Sequence, residues 1–129
     1  MLNLKIDRNQ NGKLRILCLG AHSDDIEIGC GGTILKLLSE FTNTEVLWIV
    51  FSANSERKVE AKKSAKLFLT NAKGKNMIVK NFRESFFPYI GGEIKDFFED
   101  IKAQIDPDII FCVNTIKTTL LIKLPMTFF

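Results

Sequence analysis

A histidine and two aspartates stand within four positions of one another, at 22–25 of this 129-residue chain. His22 supplies an imidazole, and Asp24 and Asp25 supply carboxylates, a donor mixture that suits a divalent ion such as zinc. A tight loop would turn His22 and Asp25 toward one ion and leave Asp24 to act on a bound water. A catalytic zinc lowers the pKa of its water to about 7, and a neighbouring carboxylate accepts the proton as general base. The spacing therefore predicts metal-assisted hydrolysis.

The same three residues also have a purely structural interpretation. Two acids near the start of a helix are favoured by the helix dipole without any catalytic role, and His22 could be a hydrogen-bonded structural side chain. Because His-x-Asp-Asp is a short pattern with a real risk of chance occurrence, the residue types alone leave both interpretations open.

Alternating apolar strands and helices must position these residues. The loop follows Leu14–Leu19, an apolar run of the kind that is buried on both faces of a parallel sheet. Similar patterns predict strands over 14–19, 45–51, 76–79 and 108–113, and helices over 31–41, 55–69 and 93–105. This order predicts an α/β fold with a Rossmann-like, doubly wound and mainly parallel sheet. Ligands of such sheets bind at the carboxyl ends of the strands, where the His22 loop lies.

Local signals refine the predicted helix starts. Ser55 is the expected N-cap of the second helix. Gly29, Gly31 and Gly32 are expected to lead the backbone past the site into the first helix, whose N-terminal N–H groups could stabilise an oxyanion. The Phe-rich stretch 82–92 is expected to be a structured loop.

Composition and charge argue against several classes of protein. The net charge of +3 and the scattered lysines predict no nucleic-acid partner. No apolar run reaches the ~18 residues that a membrane span needs. Residues 1–12 are polar, and we expect a flexible leader there rather than a signal peptide. Three widely spaced cysteines argue against a disulfide framework and predict a reducing, cytoplasmic setting.

The loop and its preceding strand closely resemble those of one family. An apolar strand followed by Ala-His-Ser-Asp-Asp-Ile-Glu-Ile-Gly-Cys-Gly-Gly-Thr is similar to the PIG-L/LmbE-like zinc-dependent N-deacetylases. The usual loop of that family reads Ala-His-Pro-Asp-Asp-Glu, then two residues, then Gly-Cys-Gly-Gly. Here Ser23 replaces the Pro and Ile26 replaces the Glu, with an acid one place later at Glu27. The resemblance covers roughly residues 14 to 111. It implies a Rossmann-like fold, a zinc cofactor, and removal of an acetyl group from a sugar of the N-acetylglucosamine type.

The resemblance also implies roles for individual residues. His22 and Asp25 match metal ligands, and Asp24 matches the general base. Arg57 falls at the family's Arg-containing start of the second helix, and Glu84 falls where the family often has an acid that hydrogen-bonds the sugar. Both are therefore implied substrate-binding residues, and the implied partner is a small-molecule N-acetyl sugar or glycoconjugate. The alternative for Arg57 and Glu84 is ordinary surface charge.

The sequence departs from the family after about residue 111. The family completes its site with a His-x-x-His-like segment that supplies the third zinc ligand and a second catalytic histidine, whereas His22 is the only histidine here. Residues 114–129 contain no Asp or Glu, so they form an anomalous tail to a domain over 13–113. We expect a truncated or frame-shifted C-terminus, an incomplete sheet, weak zinc binding, and self-association through uncovered strand surface over 108–129. The DNA that follows codon 111 would test the frameshift.

Two alternatives to an active deacetylase follow from these departures. A non-catalytic sugar-binding or degenerate remnant of the fold predicts ligand binding without turnover and without sensitivity to chelators. A nucleotide-binding domain is disfavoured because Gly20–Gly32 lacks the Gly-x-Gly-x-x-Gly spacing.

Overall fold

The chain folds into one mainly parallel sheet with helices on both faces. The structure is a computed structural model that describes residues 12–113 and 119–122. In chain order the elements are β1 (Leu14–Gly20), α1 (Asp25–Glu40), β2 (Thr44–Val50), α2 (Ser55–Phe68), β3 (Gly74–Val79), a 3₁₀ helix (Glu84–Tyr89), α3 (Gly91–Lys102), β4 (Ile109–Val113) and β5 (Thr119–Ile122). The alternation of strands and helices confirms the predicted α/β class.

The strand order in the sheet is β3-β2-β1-β4-β5. The first four strands are parallel, and β5 pairs antiparallel with β4. The chain builds outward from β1 through β2 to β3 and then crosses to the other side of β1 at β4. The order therefore reverses between β1 and β4, which is where open α/β sheets bind their ligands.

Both faces of the central strands are buried, as expected for a parallel sheet covered by helices. Alternate residues of β1 and β2, including Ile16 and Trp48, pack against α1 and α2 in one apolar cluster. The intervening residues, including Leu17 and Ile49, pack in a second cluster with Ile101 of α3. The near-continuous apolar runs in the sequence therefore reflect two cores, one on each side of the sheet.

Helix α1 begins at Asp25, six residues before the predicted start at residue 31. The glycines at 29, 31 and 32 lie inside the helix, so the prediction that they lead into its N-terminus is wrong. Glycine lowers helix propensity by about 1 kcal/mol, but tertiary packing overrides that preference here. A Cβ on Gly31 would lie only 2.7 Å from Cε1 of Phe68. The missing side chain at this position lets α1 approach α2 closely.

Two further element assignments differ from the sequence prediction. The N-cap of α2 is Asn54 and not Ser55, because the Asn54 side chain accepts a hydrogen bond from the Arg57 backbone N–H at 2.9 Å. Strand β5 was not predicted, and it pairs along the side of β4 that the sequence analysis expected to be uncovered. The predicted 82–92 loop contains the 3₁₀ helix.

Several predictions lie partly or wholly outside the described residues. These are the flexible leader, of which only Gly12 is described, and the anomalous tail, of which only the backbone of β5 is described. The 13–113 domain boundary and self-association remain predictions. Among the helices that the structure describes, none combines the length and apolar character needed to cross a membrane.

Candidate functional site

His22 and Asp25 lie together at the carboxyl end of β1. The His22 Nδ1 atom is 3.5 Å from Asp25 Oδ2, and the same oxygen accepts a hydrogen bond from the His22 backbone N–H at 2.8 Å. The backbone contact fixes the carboxylate on the imidazole side of the loop. The two side chains are 42% and 26% exposed, so they are accessible to a ligand. The sequence predicted that the loop turns both residues toward one metal ion; the two side chains are neighbours here, and their binding of a metal stays a prediction.

The separation of these two side chains fits two ligands of one zinc ion. With Zn–N and Zn–O bonds of about 2.0–2.1 Å in tetrahedral geometry, the two donor atoms would stand about 3.4 Å apart. A catalytic zinc needs a third protein ligand, however. Within 12–113 and 119–122, no group of three or more His, Cys, Asp or Glu is arranged to hold a metal ion. The described residues thus place two potential ligand atoms at a suitable separation and offer no third.

Glu84 reaches the other nitrogen of the same imidazole. Its Oε2 lies 2.7 Å from His22 Nε2, a distance at which the ring N–H donates to a carboxylate. Because Nε2 is on the far side of the ring from Nδ1, Glu84 cannot share an ion with Asp25 and His22 in this arrangement. The Glu84 side chain is 56% exposed, so the pair contributes little to stability. The contact with Glu84 orients the His22 imidazole. The sequence analysis did not anticipate this contact.

Backbone pairing beyond the strand ends brings Glu84 to His22. Ser52 donates its N–H to the Ala21 carbonyl at 2.9 Å, and Phe82 donates to the Phe51 carbonyl at 3.0 Å. An isolated antiparallel bridge joins Ser52 to Asn81. The segment after β3 is therefore tied to the segment after β2, which is tied in turn to the segment after β1. Through this chain of contacts, the 3₁₀ helix lies across the end of β1.

An aromatic cluster joins Phe82, which lies two residues before the 3₁₀ helix, to α3 through Phe51. The Phe51 ring lies 6.3 Å from Phe82, 5.8 Å from Phe97 and 5.5 Å from Phe98, measured between ring centroids. These separations are typical of stabilising aromatic pairs. The Phe-rich composition of this region was visible in the sequence, but its role in positioning Glu84 depends on the strand order.

Asp24 and Arg57 lie at the same edge of the sheet without completing a shared network. Asp24 immediately precedes α1, is exposed, and makes no capping hydrogen bond with its side chain. Its carboxylate is thus not committed to the helix N-terminus. Arg57 is exposed in the first turn of α2. In the described part of the chain, no ion pair or hydrogen bond joins the Arg57 guanidinium to His22, Asp25 or Glu84.

Glu27 points away from this group toward α2. Burial is the main reason that the pKa of Glu27 is raised above its ordinary value, and the nearby Asp24 and Asp25 raise it further against the opposing effect of a hydrogen bond from Ser64. No partner among the described residues reaches its buried Oε2. The acid displaced by one position from the family pattern is therefore part of the α1–α2 interface. Burial, reinforced by the Glu27 charge, raises the pKa of the Cys30 thiol to about 12.

An apolar cavity of about 370 Å³ lies at the carboxyl edge of the sheet, and neither His22 nor Glu84 is among its lining residues. It lies between the ends of β1 and β4, under the 3₁₀ helix and α3, and its lining residues are Leu19, Ala21, Phe51, Phe87, Ile94, Phe98 and Cys112. Sequence reasoning missed this cavity, because its lining comes from five separate segments.

Two solved structures share this fold. One is the conserved protein TT1542 from Thermus thermophilus, with a TM-score of 0.58 and 18% identity over 78% of this chain and 46% of that one. The other is an N,N'-diacetylchitobiose deacetylase from Pyrococcus horikoshii, complexed with its inhibitor MPG, with a TM-score of 0.54 and 23% identity over 78% of this chain and 41% of that one. This chain therefore spans less than half the length of either structure. No family model matches the chain, and no curated protein matches it in sequence.

Proposed function

We propose that this chain carries the first part of the active site of a zinc-dependent N-deacetylase that hydrolyses an acetamido group on an N-acetylglucosamine-type sugar. The observation that supports this most is the His22–Asp25 pair, which lies at the carboxyl end of β1 with donor atoms 3.5 Å apart. The exposed Asp24 carboxylate is adjacent to it. The deacetylase activity named for the Pyrococcus horikoshii structure agrees with this proposal.

Each residue has a distinct role in the proposed reaction. His22 Nδ1 and Asp25 Oδ2 would hold the zinc ion, which would supply Lewis-acid chemistry by lowering the pKa of a water molecule so that hydroxide is available near neutral pH. Asp24 would accept the proton of the water that attacks the amide carbonyl and return it to the departing sugar nitrogen, so that the C–N bond breaks to give acetate and a free amine. Glu84 holds the His22 ring in position, and it and Arg57 are the proposed contacts to the sugar hydroxyl groups.

A second candidate is a sugar-binding protein without turnover. It is favoured by the finding that no group of three potential metal ligands occurs among the described residues. The two candidates differ in their response to chelators. Removal of zinc abolishes acetate release by a deacetylase, whereas sugar binding by a degenerate site persists in EDTA.

Zinc titration of the purified chain by isothermal calorimetry tests the first candidate. His22 is the only histidine of the sequence, so His22→Ala removes every imidazole ligand at once. We expect His22→Ala and Asp25→Asn each to weaken zinc binding at least tenfold, since each removes one of two ligands. Asp96→Asn is a matched control, because Asp96 is an exposed aspartate on α3.

Asp24→Asn separates metal binding from proton transfer. It should leave the zinc affinity close to that of the unchanged chain and lower the rate of acetate release from N-acetylglucosamine by about 10²-fold or more, as expected for loss of a general base. Zinc binding that is equally tight in His22→Ala would contradict the proposal.

A further inference from the structure

Basic residues are concentrated in one segment of the chain. Residues 61–83 contain seven of the 18 Lys and Arg residues of the sequence and none of its 15 Asp and Glu residues. The remainder of the chain therefore has an excess of acids, and the net charge of +3 conceals a strongly basic segment. This segment comprises the C-terminal half of α2, the following turn, β3 and the residues that lead to the 3₁₀ helix. Lysines that are scattered in the sequence thus belong to neighbouring elements of the fold.

The exposed side of α2 combines lysines with aliphatic side chains. Ala61 and Ala65 are buried against the sheet, so the positions opposite them on the helix face solvent. Side chains four positions apart form rows along a helix. From residue 58 onward, two adjacent exposed rows contain only lysines and aliphatic residues, namely Val59, Lys63 and Leu67 in one row and Lys58, Lys62 and Lys66 in the other. These six residues form the basic face of α2.

No carboxylate of the described chain neutralises the basic face. Among residues 12–113 and 119–122, no salt bridge involves any of its four lysines. The two acids of α2, Glu56 and Glu60, lie in the N-terminal half of the helix. Like charges four residues apart on a helix repel each other, so an anionic partner would relieve an unfavourable interaction.

The aliphatic side chains favour a bilayer over a nucleic acid as that partner. Val59 is 54% exposed and Leu67 is 76% exposed. Nucleic-acid phosphates are bound by cations and hydrogen-bond donors, and unpaired bases stack on aromatic rings, so exposed aliphatic side chains serve neither contact. At a bilayer surface, lysines bind anionic headgroups while apolar side chains enter the boundary between headgroups and acyl chains.

We infer that the basic face of α2 binds the surface of a bilayer that contains anionic phospholipids. Such binding needs no membrane-spanning helix, and the inference is independent of the proposed hydrolase function. Each lysine near an anionic bilayer should strengthen binding about fivefold. The two aliphatic side chains add to this attraction, so that charge and apolar contact act together.

Co-sedimentation of the full chain with lipid vesicles tests the inference. Vesicles of phosphatidylserine and phosphatidylcholine in equal parts are compared with vesicles of phosphatidylcholine alone. We expect about tenfold or more stronger binding to the anionic vesicles. The difference should shrink as salt is added, because salt screens exposed charges.

Two pairs of substitutions locate the binding surface. Lys63→Glu combined with Lys66→Glu should weaken binding to the anionic vesicles about 25-fold or more. The matched control is Lys95→Glu combined with Lys102→Glu, which changes the net charge equally on α3, across the sheet from α2. The control should leave most of the binding intact. Leu67→Ser should weaken binding about tenfold, through loss of an apolar contact.

Three results would overturn the inference. Equal binding to both kinds of vesicle would show that anionic lipid is not recognised. Equal losses in the two charge pairs would show that only the net charge matters. Binding to a single-stranded RNA oligonucleotide without binding to anionic vesicles would assign the basic face to nucleic acid. The comparison of vesicle compositions needs no substitution, so it remains decisive even where a variant does not fold.

Discussion

Gly31 and Gly32 are neighbours in α1 with opposite surroundings, and their replacement by alanine should have opposite effects on stability. A Cβ on Gly31 would lie 2.7 Å from Cε1 and 3.1 Å from Cζ of Phe68, whereas a Cβ on Gly32 has no heavy atom within 4 Å. Alanine is favoured over glycine within a helix by about 1 kcal/mol, and overpacking costs about 1–3 kcal/mol. Gly32→Ala should therefore stabilise the chain by about 1 kcal/mol, and Gly31→Ala should be neutral or destabilise it by up to about 2 kcal/mol.

Movement of Phe68 away from the new methyl group would disturb its packing against the core. Its ring centroid lies 6.0 Å from that of Trp48, which is fully buried under α1 and α2. A displacement of Phe68 is therefore transmitted into the core. Because packed interiors tolerate added volume poorly, we expect the packing penalty to outweigh the gain in helix propensity.

Urea unfolding at 25 °C measures this difference directly. Trp48 is the only tryptophan of the sequence, so its fluorescence reports on the same interface. The midpoints of the two variants should differ by about 1 M, which corresponds to about 1–3 kcal/mol for a small domain. Phe68→Leu should relieve the effect of Gly31→Ala when the two are combined, because it removes the clashing ring atoms. Equal midpoints for the two alanine variants would show that α1 and α2 do not pack as described.

Three other predictions concern the ends of helices and the buried titratable groups. Asn54→Ala should destabilise the chain by about 1 kcal/mol through loss of the α2 cap, and Ser55→Ala should have little effect; the reverse order of thermal stabilities would restore Ser55 as the cap. The pKa of Glu27 is raised by burial, so the folded chain binds more protons than the unfolded chain just above pH 4.5, and stability falls as the pH rises through that window. Glu27→Gln should accordingly raise the Tm at pH 7 and lose this advantage near pH 4; a constant difference across pH would contradict burial of the carboxyl group. The pKa of the Cys30 thiol is raised to about 12, so only roughly one part in 10⁴ is thiolate at pH 8. Iodoacetamide should therefore modify Cys30 slowly until urea unfolds the chain. Mass spectrometry of tryptic peptides measures the extent of modification.

Much of the fold could be read from local patterns in the sequence. The runs predicted as strands over 14–19, 45–51 and 108–113 correspond to β1, β2 and β4, because strands covered on both faces need apolar side chains at nearly every position. Their alternation with helices leads to a parallel sheet with right-handed crossovers. The position of the His22 loop at a strand's carboxyl end follows from this order alone.

Helix boundaries were predicted less well, for a physical reason. Local propensity disfavours a helix through Gly29, Gly31 and Gly32, yet α1 runs through all three. The close approach of Phe68 to Gly31 explains why a small residue is needed there. A contact between residues 37 positions apart in the sequence has no local signature, so propensity pointed to the wrong start.

The closeness of His22 and Asp25 was determined by the sequence, because two residues that are only three positions apart in a loop cannot lie far from each other. The contact of His22 with Glu84 was decided by the tertiary structure, since it depends on β3 lying two strands from β1 and on the bridges that fold the following segment back. The apolar cavity has the same origin, because its lining residues are brought together only by the strand order. Chain neighbours are fixed by covalent bonds, whereas residues 62 positions apart meet only when burial of a shared core makes their meeting favourable.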